Sequence, residues 1–146
     1  AAVGYGRGMR TLLFTTFLAL AAVAGCSKKS NGPADHASKV PTISIDELDK
    51  KLASGECRAV DANGTATRKK LGVIPGAVLL SDSDTFNAGE LPPDKTKGLV
   101  FYCTNQQCGA SDEAAALAIA AGYTNVKVLP DGIAGWKNAG KKIDQI

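Results

Sequence analysis

The sequence predicts an α/β domain built on a mostly parallel β-sheet, with helices on both faces of the sheet. Residues 99–102 form a continuous apolar run, LVFY, which is typical of a strand covered on both sides. After a polar loop, residues 114–121 are apolar nearly all round, which predicts a helix buried close against the sheet. Strands that alternate with helices in this way indicate parallel strands joined by right-handed crossovers.

The other elements follow from capping and turn signals in residues 42–146, the predicted domain. Ser44 and Glu47 have the spacing of a capping box and predict a helix over 46–53. An Asn-Gly turn at 63–64 ends the first of the strands that follow. The remaining segments are a strand at 57–62, a helical turn at 65–71, a strand at 78–80, a loop-rich stretch at 81–97, a late strand at 125–129 and a last short helix at 131–136.

A cysteine stands where the apolar strand ends and the polar loop begins. Cys103 directly follows the strand, and Ser111 is placed to cap the helix that ends before Gly122. Open parallel sheets bind ligands at this edge, and the N–H groups of a helix amino terminus favour an anion such as a thiolate. Asp112 and Glu113 in the first helical turn place negative charge nearby, which opposes thiolate formation. These influences on the thiol act in opposite directions.

The cysteines of the domain occupy positions that suggest different roles. Cys103 is the predicted nucleophile, and a small buried residue at a strand end is the alternative. Cys108 could form a disulfide with Cys103, resolve a persulfide or sulfenate on it, or be a small buried hydrophobe. Cys57 begins a strand and is predicted to serve packing. The C-x4-C spacing is not that of thioredoxin-like oxidoreductases, and two cysteines alone fall short of a structural zinc site.

The amino-terminal part of the chain has the pattern of an export signal. Residues 9–25 combine a basic start with a short apolar core, as a signal peptide does, and residues 1–8 are then an upstream extension. The core ends in VAGC, which resembles the lipobox of bacterial lipoproteins and predicts lipidation of Cys26; an ordinary signal peptide is the alternative. Residues 26–41 are polar and predict a lipid-anchored flexible tether. With Ser27 after the cysteine, we expect the periplasmic face of the outer membrane in a Gram-negative cell.

The composition argues against several classes of function. The formal net charge of +3 falls to about +1 without Arg7 and Arg10, and no basic block with interleaved aromatics occurs, so no nucleic-acid partner is expected. No arginine follows Arg68, whereas phosphate-ester hydrolases of related fold close their cysteine loop with one. His36, the only histidine, stands in the tether without other ligands, so neither a metal site nor a cofactor is predicted.

A series of short motifs runs along residues 41–145. They are Val60-Asp61, Ile74-Pro75-Gly76-Ala77, Tyr102-Cys103, Ser111 with Ala114-Ala115, Gly122-Tyr123 with Asn125-Val126, and Gly132-Ile133 with Trp136. In this order and spacing the chain resembles the single-domain rhodanese-like proteins. The resemblance implies an α/β fold with a five-stranded, mostly parallel sheet. It also implies an active loop that begins with a cysteine carrying sulfane sulfur as a persulfide.

Carried over to this chain, the resemblance makes Cys103 the persulfide cysteine. The following loop would supply N–H groups that cradle the persulfide and the anionic part of a donor, often thiosulfate or a low-molecular-weight persulfide. The residues of this loop are Thr104, Asn105, Gln106, Gln107, Gly109, Ala110 and Ser111. The chain also departs from the family, because Cys108 takes the place of a basic loop residue and Asp131 that of a glycine. An arginine near Asn63 and a histidine near Val73 are missing as well, which disfavours doubly charged thiosulfate more than a persulfide.

Two main hypotheses for the function follow. The first is a lipid-anchored sulfurtransferase in which Cys103 accepts sulfane sulfur from a small donor and passes it to a thiol acceptor, with Cys108 as a thiol that discharges it. The second is a non-catalytic module that binds a partner protein or senses the redox state of the envelope through a reversible Cys103–Cys108 disulfide. A third, capture of Cu(I) by the two thiols, is favoured only by the softness of the ligands.

Overall fold

The computed structural model describes residues 40–146, which form the α/β domain. The predictions for residues 1–8, for the signal peptide at 9–25, for Cys26 and for the tether up to residue 39 lie outside the described residues. Within the described part of the chain, no helix has the length and apolar character that crossing a membrane requires.

Helices and strands alternate along the described chain, as the sequence predicts. In chain order they are α1 Ile45–Ala53, β1 Cys57–Asp61, α2 Thr65–Leu71, β2 Val78–Leu79, a 3-10 turn Ala88–Glu90, β3 Gly98–Tyr102, α3 Ala110–Ala120, β4 Val126–Leu129 and α4 Gly132–Asn138. The start of α1 follows the predicted cap, because the Ser44 hydroxyl oxygen accepts a hydrogen bond from the N–H of Glu47 at 3.3 Å.

The four strands form one parallel sheet in the order β2-β1-β3-β4. The register places Asp61 of β1 beside Tyr102 of β3, and Tyr102 beside Leu129 of β4. The carboxyl ends of these strands therefore meet at one edge of the sheet, next to which Cys103 follows β3.

The predicted five-stranded sheet has four strands in the described residues, because the segment where a fifth would lie makes a single bridge. Thr42 pairs in parallel with Val128 of β4. Pro41 has no N–H group to extend this pairing, and Ser44 already caps α1. The chain therefore leaves the sheet after one residue pair.

Alternate residues of β3 point into two different hydrophobic clusters, so both faces of the sheet are covered. Leu99 and Phe101 pack in the cluster that contains the buried alanines of α3. Val100 and Tyr102 pack in the other cluster, which contains Leu48 of α1 and, from α4, Ile133 and Trp136. All five residues of β3 are buried, as a strand between two helical layers requires.

Helix α3 is less deeply buried than its apolar composition predicts. Its face of small residues packs on the sheet, and the buried members are Ser111, Ala114, Ala115 and Ala118. Leu117 and Ile119 beside this face are 41% and 43% exposed. The predicted packing close against the sheet is confirmed for the face of small residues, and because a single helical layer covers this side of the sheet, the outer side of the helix stays in contact with solvent.

Candidate active site at the carboxyl edge of the sheet

The loop after β3 crosses the carboxyl edge of the sheet and is attached to the start of α4. The N–H of Ile133 donates to the carbonyl oxygen of Cys103 at 2.9 Å, and that of Ala134 to the carbonyl oxygen of Thr104 at 3.0 Å. Gly132 has a φ of +58°, and a Cβ atom there would lie 2.6 Å from the backbone of Cys103 and Thr104. Only glycine allows α4 to begin this close to the loop.

Bonds within the loop fold it back on itself. The carbonyl oxygen of Asn105 accepts from the N–H of Cys108 at 3.1 Å, and its side-chain oxygen accepts from the N–H of Gln107 at 3.1 Å. Gln106 reaches across to α4, since its Nε2 donates to Oδ1 of Asp131 at 2.9 Å. These bonds turn the chain back, so that Cys108 lies close to Cys103.

The sulfur of Cys103 lies inside the protein, where the side chain is 1% exposed. Its S–H is within donor distance of the carbonyl oxygens of Cys108, at 3.1 Å, and Asn105, at 3.8 Å. The hydroxyl of Ser111 donates to the sulfur at 3.4 Å. Burial, the largest influence, raises the pKa of the Cys103 thiol, and the hydrogen bond with the Cys108 side chain raises it further. The hydroxyl and N–H of Ser111 lower this pKa by less, so the thiol is protonated near neutral pH.

Ser111 does not cap α3, and that prediction is wrong. The helix begins two residues earlier than that cap implies, at Ala110, and Gly109 stands at the cap position without a side-chain hydrogen bond. Ser111 is thus already within the first turn, on the buried face, where its hydroxyl meets the sulfur of Cys103 instead of a backbone N–H. The serine that was expected to start the helix is a direct contact of the candidate site.

The Cys108 thiol differs from that of Cys103 in exposure and in its surroundings. Cys108 is partly exposed, and no disulfide joins the two cysteines. Burial is the largest single influence and raises the pKa of Cys108, but the hydrogen bond with Cys103 and the N–H groups of Thr104 and Ala110 outweigh it. The net pKa therefore lies below its ordinary value, although the negative charge of Glu113 opposes this.

The loop residues thus divide between the two sulfurs. The N–H of Ser111 acts to lower the pKa of Cys103, whereas those of Thr104 and Ala110 act to lower the pKa of Cys108. The resemblance led us to expect the loop N–H groups around Cys103 alone. The roles of Cys103 and of the loop residues in binding sulfur stay predictions.

Sequence reasoning missed the contribution of β1 to this edge. Thr104 Oγ1 donates to Oδ1 of Asn63 at 2.8 Å, which ties the loop to the residue that the sequence indicated only as a turn. Asp61 is fully buried, and its Oδ1 accepts from the N–H of Asn63 at 2.6 Å and from Nε of Arg68 at 3.2 Å. Nη2 of Arg68 also donates to the carbonyl oxygens of Asp61 and Leu80 at 3.0 and 2.8 Å. The sequence offered one signal, because parallel neighbours end at the same edge of a sheet, but this does not specify which side chains meet there.

Metal ligands are not brought together in the described residues. Nowhere between residues 40 and 146 do three cysteine, histidine or acidic side chains meet in a way that could hold a metal ion.

A buried parallel strand that ends at a cysteine loop, followed by a helix of small residues, defines an α/β domain with its candidate site at the carboxyl edge of a parallel sheet. The Rhodanese-like domain family model matches residues 44–139, more than half of the chain. The chain belongs to the rhodanese-like domain family. No match was found among curated proteins.

Solved structures support the same fold. A human single-domain sulfurtransferase is 25% identical, with a TM-score of 0.55 over 68% of this chain and 96% of that chain. The rhodanese-like domain of the Anabaena protein Alr3790 is 22% identical, with a TM-score of 0.57 over 73% of this chain and 80% of that chain. A thiosulfate sulfurtransferase from Pseudomonas aeruginosa is 21% identical, with a TM-score of 0.60 over 73% of this chain but 20% of that chain. The last two show the fold alone.

Proposed function

We propose that this protein is a sulfurtransferase that holds sulfane sulfur as a persulfide on Cys103 and delivers it to a thiol acceptor. The observation that carries the proposal is the pairing of two free cysteines in one loop at the carboxyl edge, with both donors of Ser111 on the Cys103 sulfur. Such donors stabilise a sulfur anion in a site that excludes water. Membership in the rhodanese-like family is consistent with this chemistry.

The charges near the loop favour a persulfide over thiosulfate as the sulfur donor. The segment from Gly98 to Gly122 contains no lysine or arginine. The guanidinium of Arg68, near the end of β1, is already paired with the Asp61 carboxylate. A doubly charged donor needs a cationic partner such as a bidentate guanidinium group. A low-molecular-weight persulfide, which carries at most one charge on its sulfur, has less need of a cationic partner in the site.

The test is the mass of the intact protein after incubation with glutathione persulfide or with thiosulfate. We expect the wild type to gain one sulfur atom from the persulfide and less from thiosulfate. The double variant Cys103→Ser/Cys108→Ser should gain none, and the control Cys57→Ser, which removes a buried cysteine outside the loop, should behave as the wild type. A wild type that gains no sulfur from either donor would contradict the proposal.

A redox module is the second candidate, since some rhodanese-like proteins are non-catalytic. The observation in its favour is that the side chains of Cys103 and Cys108, five positions apart in one loop, already interact, so a disulfide would close a small ring. Equilibration in redox buffers followed by thiol titration separates the two candidates. This candidate requires that both loop thiols disappear together under mildly oxidising conditions, and it fails if they stay free.

We also propose that the protein is anchored by a lipid on Cys26 at the periplasmic face of the outer membrane. The support is the sequence pattern alone, a short apolar core that ends in VAGC. Replacing Cys26 by Ser should abolish incorporation of labelled fatty acid in cells. Unchanged labelling would remove the anchor from the account, whereas the sulfur chemistry of the loop would be unaffected.

A further inference from the structure

The two loop cysteines differ in access to solvent, and the buried one is the expected persulfide carrier. Cys103 is 1% exposed and belongs to a hydrophobic cluster, whereas Cys108 is partly exposed. A cavity of about 210 Å³ opens beside the loop. Its walls include the loop residues Asn105, Gln106, Cys108 and Ser111. Cys103 is not part of these walls, so a donor in the cavity meets Cys108 first.

We infer that Cys108 is the thiol that attacks the sulfur donor, and that it then hands the sulfane sulfur inward to Cys103. This inference rests on the proposed function and assigns its two steps to two different residues. The arrangement gives Cys108 contact with the donor and gives Cys103 a site closed to water, in which the sulfur is stored.

The hydrogen bonds around the two sulfurs agree with this order of events. The Cys108 sulfur receives the N–H groups of Thr104 and Ala110, so its thiolate is stabilised and its pKa is lowered. The Cys103 sulfur is buried and faces the carbonyl oxygens of Asn105 and Cys108, and although the hydroxyl and N–H of Ser111 oppose this, the net effect raises its pKa. At a given pH a larger fraction of Cys108 than of Cys103 is therefore thiolate, and Cys108 is also the cysteine that lines the cavity.

The cavity also restricts the donor. Asp112 lies in its wall, and no lysine or arginine does so in the described part of the chain. Thiosulfate, whose two charges lie on the reacting group itself, would be repelled, whereas a persulfide presents to Cys108 an outer sulfur with at most one charge. The chemical class of the donor is accordingly a low-molecular-weight persulfide.

Both steps balance without an oxidant or a reductant. In the first, the Cys108 thiolate attacks the outer sulfur of R–S–SH; the new S–S bond forms as the old one breaks, and the electron pair leaves on RS⁻, which takes a proton from water. In the second, the Cys103 sulfur attacks the outer sulfur of the Cys108 persulfide. The Cys108–S bond breaks, its electron pair returns to Cys108, and the proton of the Cys103 thiol moves to Cys108. The products are a Cys103 persulfide and a Cys108 thiol.

The experiment follows sulfur gain by the full chain after mixing with glutathione persulfide, with alkylation at set times and fragmentation of the loop peptide. We expect Cys108→Ser to load about tenfold more slowly or worse, since its remaining loop thiol, that of Cys103, is buried outside the cavity walls and thiol exchange depends on access. Cys103→Ser should still gain one sulfur atom and keep it on Cys108. The control Cys57→Ser should match the wild type in rate and in final position of the sulfur.

The wild type supplies a test that needs no variant, which matters if Cys108→Ser does not fold. At early times the sulfur should lie on Cys108 and at late times on Cys103. Sulfur that appears first on Cys103, or a folded Cys108→Ser variant that loads at the wild-type rate, would overturn the relay while leaving the proposed function intact. A wild type that never loads would overturn both.

Discussion

The carboxyl ends of β1 and β3 lie side by side, but the buried polar side chain at each end has different partners. At the end of β1, the Asp61 carboxylate is fully buried and held by the Arg68 guanidinium and the N–H of Asn63. At the end of β3, Cys103 is equally buried but meets only neutral groups. A buried carboxylate is stabilised by a cation, whereas a protonated thiol is neutral and needs none. The first region should therefore control stability and the second reactivity.

The largest expected effect is on stability and concerns the ion pair at the end of β1. Arg68→Ala leaves the Asp61 carboxylate buried without its ion-pair partner and removes the donors to two backbone carbonyl groups. We expect a loss of about 3–5 kcal/mol in the free energy of unfolding, measured by urea denaturation. The neighbouring exposed Lys69→Ala should change it by less than about 0.5 kcal/mol. Equal effects of the two variants would contradict a structural role for the pair.

The next effect tests how the loop is attached to α4. Gly132→Ala forces a left-handed conformation on alanine and drives its Cβ into the backbone of Cys103 and Thr104. We expect a loss of about 2–4 kcal/mol in unfolding free energy, with slower sulfur loading because the loop shifts. Gly109→Ala is the matched control in the same loop, since its φ is −83° and no atom lies within 4 Å of the added Cβ. A harmless Gly132→Ala would show that the close contact is not needed.

A smaller effect on stability and a larger one on reactivity are expected at Ser111. Ser111→Ala removes the hydroxyl that donates to the Cys103 sulfur, which should raise the pKa of that thiol further. The free energy of unfolding should fall by about 1 kcal/mol, the worth of one hydrogen bond, while less sulfur is retained on Cys103. Ser54→Ala also removes a serine hydroxyl from its hydrogen bonds, but outside the loop, and should leave sulfur retention unchanged. Equal retention in both variants would exclude Ser111 from the site.

The smallest expected effect is a difference in pH dependence between two thiols. The pKa of Cys108 is lowered and that of Cys57 is raised by burial, so at a given pH a larger fraction of Cys108 is thiolate. Alkylation by iodoacetamide should rise with pH at both sites and reach half of its maximal rate at a lower pH for Cys108. Peptide mass spectrometry after timed alkylation measures this. Coincident midpoints would show that the Thr104 and Ala110 donors do not stabilise the thiolate.

Much of this arrangement could be predicted from local sequence patterns. The unbroken apolar run LVFY indicated the buried strand, and Cys103 directly after it indicated the candidate site. The start of α3 was misjudged because a serine before two acidic residues has the pattern of a cap, whereas Gly109 takes that position in the fold. That shift of two residues places Ser111 within the first turn of the helix, where its hydroxyl meets the Cys103 sulfur.

Other features depend on contacts between distant segments, and the sequence does not specify these. The contact of Asn63 with Thr104 arises from the pairing of β1 with β3, because these two residues lie 41 positions apart in the sequence. The role of Arg68 requires the register that brings Asp61 and Leu80 within its reach. The different exposure of Cys103 and Cys108 follows from the turn closed by Asn105, which no spacing rule for cysteines predicts.

The location of the sulfur in the loaded wild-type protein tests the central claim most directly. Trypsin should release residues 98–127, which contain both loop cysteines, separately from residues 52–58, which contain Cys57. After complete loading with glutathione persulfide, the account predicts one extra sulfur atom in the first peptide, on Cys103, and none in the second. Sulfur spread evenly over both peptides, or absent from the loop peptide, would contradict it.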